Sequence, residues 1–281
     1  MSKRDDGESL ADAVLKGVEE DPAPHEHSGP SDALLTTVTA LQQLGITWVL
    51  RYHRLELSGD LVTPAEPVLF VANHGFGGLF DLNVFAILAA FDALELDRPV
   101  TRLTHQIAWT FGVGRLLEPL GLRPASHVAA AEAFADGQHV LVFPGGDLDA
   151  SKSFSDRNRI VFGGRTGFAR LAMEAGVPIV PIVTAGAGNS LMVVSDGQRL
   201  ARVLRLDKTL RLKALPVTVS LPWGLSVGGA GVLPYLPLPS RLATCVLPAM
   251  APLPDETTQD FAARVEAAMQ EALTALTNER R

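Results

Sequence analysis

Short apolar runs alternate with stretches of helical periodicity along most of this chain, and that alternation limits the folds open to it. The runs at 68–72, 100–104, 140–143, 179–183, 217–221 and 243–247 are apolar or β-branched and read as strands, most of them buried. Between them the spacing predicts helices over Leu82–Leu94, Gln106–Leu117, Ser126–Ala135, Gly167–Ala175 and Gln198–Leu206. Ser126 is placed to cap its helix, with Gly137 just past the end, and Gly176 closes the helix before it. From Thr257 the tail is an amphipathic helix carrying Phe261, Val265, Met269 and Leu273 on one face. A helix is also expected from Ser31, stopped by Gly45, whose stripe Leu34, Leu35, Val38, Leu41 and Leu44 packs on the body of the protein. These elements imply an α/β fold with a mixed, largely parallel central sheet flanked by helices. The strands are too few and too scattered for an eight-stranded barrel.

Hydrophobic residues make up 47% of the chain, enough for a substantial core. Residues 1–30 are different: acidic, with Pro22, Pro24 and Pro30, and few large apolar side chains. They read as a disordered acidic segment, with at most a short helix near Leu10–Val18, ahead of a single domain over 31–281. The net charge of -7 argues against broad binding to nucleic acid, which needs a basic face. One cysteine, Cys245, excludes an internal disulfide and reads as a small hydrophobe in an apolar strand. No apolar leader opens the sequence and no apolar stretch is long enough for a membrane span. Prolines and glycines interrupt 215–253, the longest apolar region.

The run 68–72 ends in Asn73-His74-Gly75-Phe76-Gly77-Gly78-Leu79-Phe80-Asp81. A histidine leaving a buried strand, then glycines, then an acid opening a helix is an active-site-like order, because α/β proteins bind ligands at strand ends. Asp81 is the sole carboxylate between Glu66 and Asp92, so no other local acid can orient the His74 ring. An imidazole near its usual pKa of about 6.5 suits removal of a proton from a hydroxyl, and a carboxylate on its other nitrogen fixes the tautomer. Two competing readings stand beside this. Asp81 could simply cap its helix, a role compatible with orienting the ring, and His74 could be a structural histidine bonded to backbone.

His-Gly-x-Gly after a strand also suits a serine hydrolase, and Gly224-Leu225-Ser226-Val227-Gly228 matches the nucleophile-elbow pattern. That reading fails on order and on context. The seven histidines, at 25, 27, 53, 74, 105, 127 and 139, all precede Ser226, and no helix follows it.

Further on come Phe143-Pro144-Gly145-Gly146-Asp147-Leu148-Asp149, then Gly164-Arg165-Thr166-Gly167-Phe168, then Val177-Pro178-Ile179-Val180-Pro181. With the His–Asp loop, these blocks resemble, over roughly residues 45–250, the glycerolipid (lysophospholipid) acyltransferase superfamily. The Phe-Pro-Gly-Gly form is similar to its diacylglycerol-acyltransferase-like branch. The resemblance implies transfer of a fatty acyl group from acyl-CoA or an acyl carrier protein to a lipid hydroxyl, with His74 as general base oriented by Asp81. It implies no metal or cofactor. Asn73, Gly145, Gly146, Asp149 and Arg165 are the expected substrate-binding residues, with the Gly145-Gly146 amides as an anion nest or a plain turn.

Two departures from the family pattern matter. Six residues separate His74 from Asp81 where the family has four, so the loop must bulge for the pair to meet. Leu148 stands where the family has an arginine that is thought to hold an acceptor phosphate, which favours a neutral acceptor. Against this stand Lys152, Arg157, Arg159, Arg165 and Arg170, a set that could bind a lysophospholipid or coenzyme A phosphate, with Arg165 the best candidate. A non-catalytic lipid-binding protein of the same fold is the reading from another class. A lipid enzyme of this kind is expected in the cytoplasm, peripheral on the inner face of the membrane. His105, at the end of the run 100–104, is read as a structural histidine over one lining the cleft, and Trp109, Phe111, Trp223 and Tyr235 as core or tunnel residues. His127 and His139 are read as surface residues, and the segment 222–239 as irregular, walling an acyl channel or touching the bilayer.

Overall fold

The structure, a computed structural model, describes residues 32–76, 81–104, 118, 121–206, 215–228 and 235–279. The expectations for 1–30, Ser31 and the helix at 106–117, with His105, Trp109 and Phe111, lie outside these residues. Seven strands form the main sheet: β1 (Glu56–Gly59), β2 (Leu69–Ala72), β3 (Val100–Thr104), β4 (Leu122–Pro124), β5 (His139–Val142), β6 (Ile179–Ala185) and β10 (Ala243–Val246). Their order across the sheet is β1-β10-β6-β2-β5-β3-β4. Every neighbouring pair is parallel except β10 against β6, so the sheet is mixed and largely parallel, as the alternation implies.

The period of two along each strand divides the core into two layers. Leu69 and Val71 of β2 face one cluster, together with Ala130, Phe168, Phe261 and Met269 from helices α3 (His127–Ala135), α5 (Gly167–Ala175) and α7 (Thr258–Asn278). Phe70 and Ala72 face the other, with Ile46 and Val49 from α1 (Asp32–Arg51) and Leu82 to Phe91 from α2 (Leu82–Ala93). Covered on both faces, β2 and β6 are buried at every position, which explains their unbroken apolar sequences.

Several boundaries fall where the sequence puts them. Ser126 accepts the amide of Ala129 as N-cap, Thr257 that of Asp260, and Gly176 ends α5 with φ +66°. Gly45 does not stop α1, which runs on to Arg51. A Cβ at Gly45 would lie 2.2 Å from the Phe85 ring, so the glycine serves close helix–helix approach instead of termination. That crossing turns Gly45, Ile46 and Val49 inward and leaves Leu41 and Leu44 exposed, so the expected packing stripe is displaced around the helix.

His139 is likewise not on the surface: it opens β5, is fully buried, and its Nδ1 accepts the Val68 amide at 3.2 Å. Burial, reinforced by nearby Arg98, lowers its pKa. His127 is half exposed, beside Arg170 and Glu174.

The expected strand at 217–221 forms β8 (Val217–Ser220), which lies not in the main sheet but at the centre of a second, three-stranded antiparallel sheet between β7 (Met192–Ser195) and β9 (Gly224–Val227), two strands that were not foreseen. The Gly224–Gly228 pattern forms its last strand, and the Ser226 hydroxyl meets that of Thr218 at 3.0 Å across the hairpin. Ser226 therefore sits on no nucleophile elbow. Trp223, at the hairpin turn, is 46% exposed and is not a core residue.

Candidate active site

Three adjacent parallel strands, β5, β2 and β6, end on the same edge of the sheet, and the loops that follow them meet there. The β2 loop carries His74, the β5 loop carries the Phe-Pro-Gly-Gly block, and the β6 loop carries Ala187 to Ser190. The lengthened interval between His74 and Asp81 still closes: His74 Nδ1 lies 2.7 Å from Asp81 Oδ2. Asp81 is 4% exposed, and its other oxygen accepts the amides of Asn83 at 2.9 Å and Gly75 at 3.2 Å. Both readings of Asp81 hold at once, since one oxygen caps α2 and the other grips the imidazole.

A carboxylate can only accept, so Nδ1 carries the proton and Nε2 presents a lone pair. The His74 side chain keeps 20% of its surface open, and its ring stacks on Phe143 at 4.3 Å between centroids. Gly75 has to be a glycine, because a Cβ there would come within 3 Å of Ala187, Asn83 and Asp81.

The backbone beneath the ring is pinned as well. Asp149 is buried, and its Oδ2 accepts the His74 amide at 2.6 Å. Its Oδ1 accepts Lys152 Nζ at 2.7 Å and the Val161 amide at 3.3 Å. The ammonium offsets the charge of the buried acid, which would otherwise be strongly disfavoured. Asp149 thus links the β5 loop to the β2 loop. Asn73 is 3% exposed and faces the framework: its amide exchanges two bonds with the backbone of Thr184, at 3.0 and 2.9 Å, and its carbonyl accepts Asn83 Nδ2 at 2.8 Å. It joins β2 to β6.

The Phe-Pro-Gly-Gly block is also built for packing. A Cβ on Gly145 would lie 2.3 Å from the Asp149 Cβ and 2.5 Å from the Val161 carbonyl oxygen. Gly146 adopts φ +49° and donates its amide to the Phe143 carbonyl at 3.1 Å. With that amide engaged, the pair forms a turn and not the two-amide anion nest. Arg165 holds the turn from outside, donating to the carbonyls of Pro144 (2.9 Å) and Gly145 and to Asp147 Oδ1 (3.0 Å). The other cations of the set also have protein partners. Lys152 is on Asp149, Arg157 on Asn189 and the Phe154 carbonyl, Arg159 on Asp156, and Arg170 on His127.

Sequence reasoning passed over Phe143 as a site residue, read Lys152 only as a possible phosphate-binding cation and not as the partner of Asp149, and read Tyr235 only as a core or tunnel residue. Tyr235 is buried edge-on against Phe76, and burial, then the nearby Asp81 charge, raises its pKa well above the usual phenol range. Only the position of Lys152, three residues after an acid, hinted at its pairing.

An acyltransferase family model matches residues 54–185 and a diacylglycerol acyltransferase family model matches residues 121–281. Among characterised relatives, a Gallus gallus protein named "DGAT1/2-independent enzyme synthesizing storage lipids" is 27% identical over 229 residues, covering 79% of this chain and 60% of its own. Phytyl ester synthase 1 of Arabidopsis thaliana is 26% identical over 141 residues, 49% of this chain and 20% of its own. An uncharacterized protein of Mycobacterium tuberculosis strain H37Rv is 29% identical over 192 residues, 68% of this chain and 50% of its own. The chain thus spans about half the length of several curated relatives. The crystal structure of the 1-acyl-sn-glycerophosphate acyltransferase of Thermotoga maritima superposes with a TM-score of 0.53 at 15% identity, over 86% of this chain and 79% of its own, and shares the fold. The chain belongs to the diacylglycerol acyltransferase family, within the glycerolipid acyltransferase superfamily.

Proposed function

We propose that this protein transfers a fatty acyl group from an acyl thioester, carried by coenzyme A or an acyl carrier protein, to the hydroxyl of a neutral lipid such as a diacylglycerol or another lipid alcohol. The observation that carries the reading is the 2.7 Å His74–Asp81 bond, which leaves Nε2 of a partly open imidazole as the base. The acceptor hydroxyl gives its proton to Nε2 as its oxygen attacks the thioester carbonyl carbon. The tetrahedral oxyanion collapses, the carbon–sulfur bond breaks, and the leaving thiolate takes the proton from Nε2. The alternative of a lipid-binding protein without turnover drew on the long His–Asp interval, and the bond across that interval favours the enzyme over it.

Two observations support the neutral acceptor. Leu148 lies against Gly163 and supplies no cation, while each member of the nearby basic set has a protein partner. The names of the Gallus gallus and Arabidopsis thaliana relatives, storage lipids and a phytyl ester, point the same way. Among the described residues no helix is long and apolar enough to cross a membrane, and we place the protein peripherally, on the inner face.

The test is incubation of wild type and His74→Ala with labelled long-chain acyl-CoA or acyl carrier protein and a panel of acceptors: diacylglycerol, a long-chain alcohol, and lysophosphatidic acid. Ester is expected on the neutral acceptors, with the variant slower by on the order of a hundredfold or more. Equal product from both proteins refutes the base, and product on lysophosphatidic acid alone refutes the neutral acceptor.

A further inference from the structure

The small antiparallel sheet has two unlike faces. On the inner face Val193, Thr218 and Ser220 are buried, and Val193 clusters with Leu191, Tyr235 and Phe76, two residues beyond His74. On the outer face the register sets Met192 beside Val219 and Val219 beside Leu225, with Val217 beside Val227 one step along. Met192, Val194, Val219, Leu221, Leu225 and Val227 are between 41% and 70% exposed. Leu236, 62% exposed, joins the same face through its bridge to Leu221, and the half-exposed Trp223 stands at the turn. Soluble proteins rarely present a continuous apolar face of this kind without a partner for it.

The charge of this part of the sequence is as uneven. Residues 190–253 contain seven cations against two acids, a surplus of five in a chain whose net charge is -7. Six of those cations fall between Arg199 and Lys213, in the connection from β7 to β8, and the strands β7, β8 and β9 carry none of either sign. The described ones, Arg199, Arg202, Arg205 and Arg241, are all exposed.

We infer that the outer face of this sheet docks on an anionic lipid bilayer, with its apolar side chains among the acyl chains, Trp223 at the headgroup level and the flanking cations against lipid phosphates. Charge complementarity selects the occupant. A second copy of the chain, packed face to face, would bring the same cations together. Because the inner face rests on Phe76, docking brings the His74 loop to within one sheet layer, roughly 10 Å, of the bilayer in which a lipid alcohol is dissolved. The inference deepens the acyltransferase reading and rests on it for the lipid nature of the partner.

The experiment is co-sedimentation of the full chain with vesicles of phosphatidylcholine alone and of phosphatidylcholine with one-third phosphatidylglycerol. Wild type is expected to sediment with the anionic vesicles and to be released by high salt. Leu225→Asp combined with Leu221→Asp should weaken binding on the order of tenfold or more, since two buried apolar side chains are lost and repulsion is added. Val128→Asp, at an exposed apolar position on α3, and His74→Ala should bind as wild type. Circular dichroism checks that each variant is folded. Wild type that stays in the supernatant, a double variant that sediments undiminished, or equal loss in Val128→Asp overturns the docking face. So does a wild-type dimer, seen by analytical ultracentrifugation, that the double variant converts to monomer. Activity on a soluble short-chain acceptor separates the two readings. Its survival in a double variant that binds undiminished leaves catalysis standing without the docking face, and its persistence in His74→Ala refutes the base while leaving the docking result untouched.

Discussion

Asp81 satisfies three donors with two oxygens, and replacing it by asparagine forces a choice among them. In the native site Oδ2 holds the His74 ring at 2.7 Å, while Oδ1 holds the amides of Gly75 and Asn83. An asparagine of the same shape has one acceptor oxygen. If that oxygen stays with the backbone amides, the side-chain NH2 faces Nδ1, the imidazole proton moves to Nε2, and the base is lost. Reversal of a histidine tautomer by the same substitution in a serine protease costs on the order of ten-thousandfold, so a loss of about a hundredfold to ten-thousandfold in kcat is expected here, about 3–5 kcal/mol of barrier. Melting should then change little. If the amide turns the other way, His74 keeps its tautomer, but two backbone N–H groups lose their acceptor, at about 1–3 kcal/mol each. Activity would survive and the melting temperature would fall. Asp81→Ala removes both functions together and should lose activity and stability. The assay pairs steady-state rates across pH with thermal denaturation of all three proteins. An Asp81→Asn protein with native rate and native melting temperature would refute the claim that this carboxylate does both jobs.

Two further outcomes are expected. Gly145→Ala drives a methyl into Asp149 and the Val161 carbonyl, so it should destabilise by about 1–3 kcal/mol and slow catalysis by loosening the His74 backbone, read by denaturant titration and kcat. His53, lowered chiefly by burial, and His139, lowered by burial and Arg98, bind protons more weakly folded than unfolded. Their contribution is present above the unfolded value of about 6.5 and is lost as pH falls towards their folded values, so unfolding free energy measured at pH 7.5 should exceed that at pH 5.5.

How much of this was legible in the sequence follows the range of the forces involved. Strands buried on both faces announce themselves by composition, and local caps such as Ser126 and Gly176 by spacing, because each is decided within a few residues. The His74–Asp81 pair was also within reach, since a lone acid seven positions away left no rival. What the sequence did not reveal was set by partners distant along the chain. Gly45 looks like a helix stop until Phe85 is seen against it. Asn73 and Arg165 gave no sign of their framework partners, Thr184 and the Pro144 carbonyl. His139 looks exposed until Val68 donates to it. Of the small sheet only the run 217–221 was legible as a strand; β7 and β9 are largely exposed, so no unbroken buried run marked them.

The carboxylate of Asp149 makes two loops that are 75 positions apart one mechanical part. One oxygen grips the chain at the base, and the other grips a lysine and the strand-exit segment at Val161. A graft that brings in the glycine block of a relative without its matching histidine loop would therefore separate a clamp from what it clamps. Swaps meant to alter acceptor choice have to carry residues 73–83 and 143–161 together.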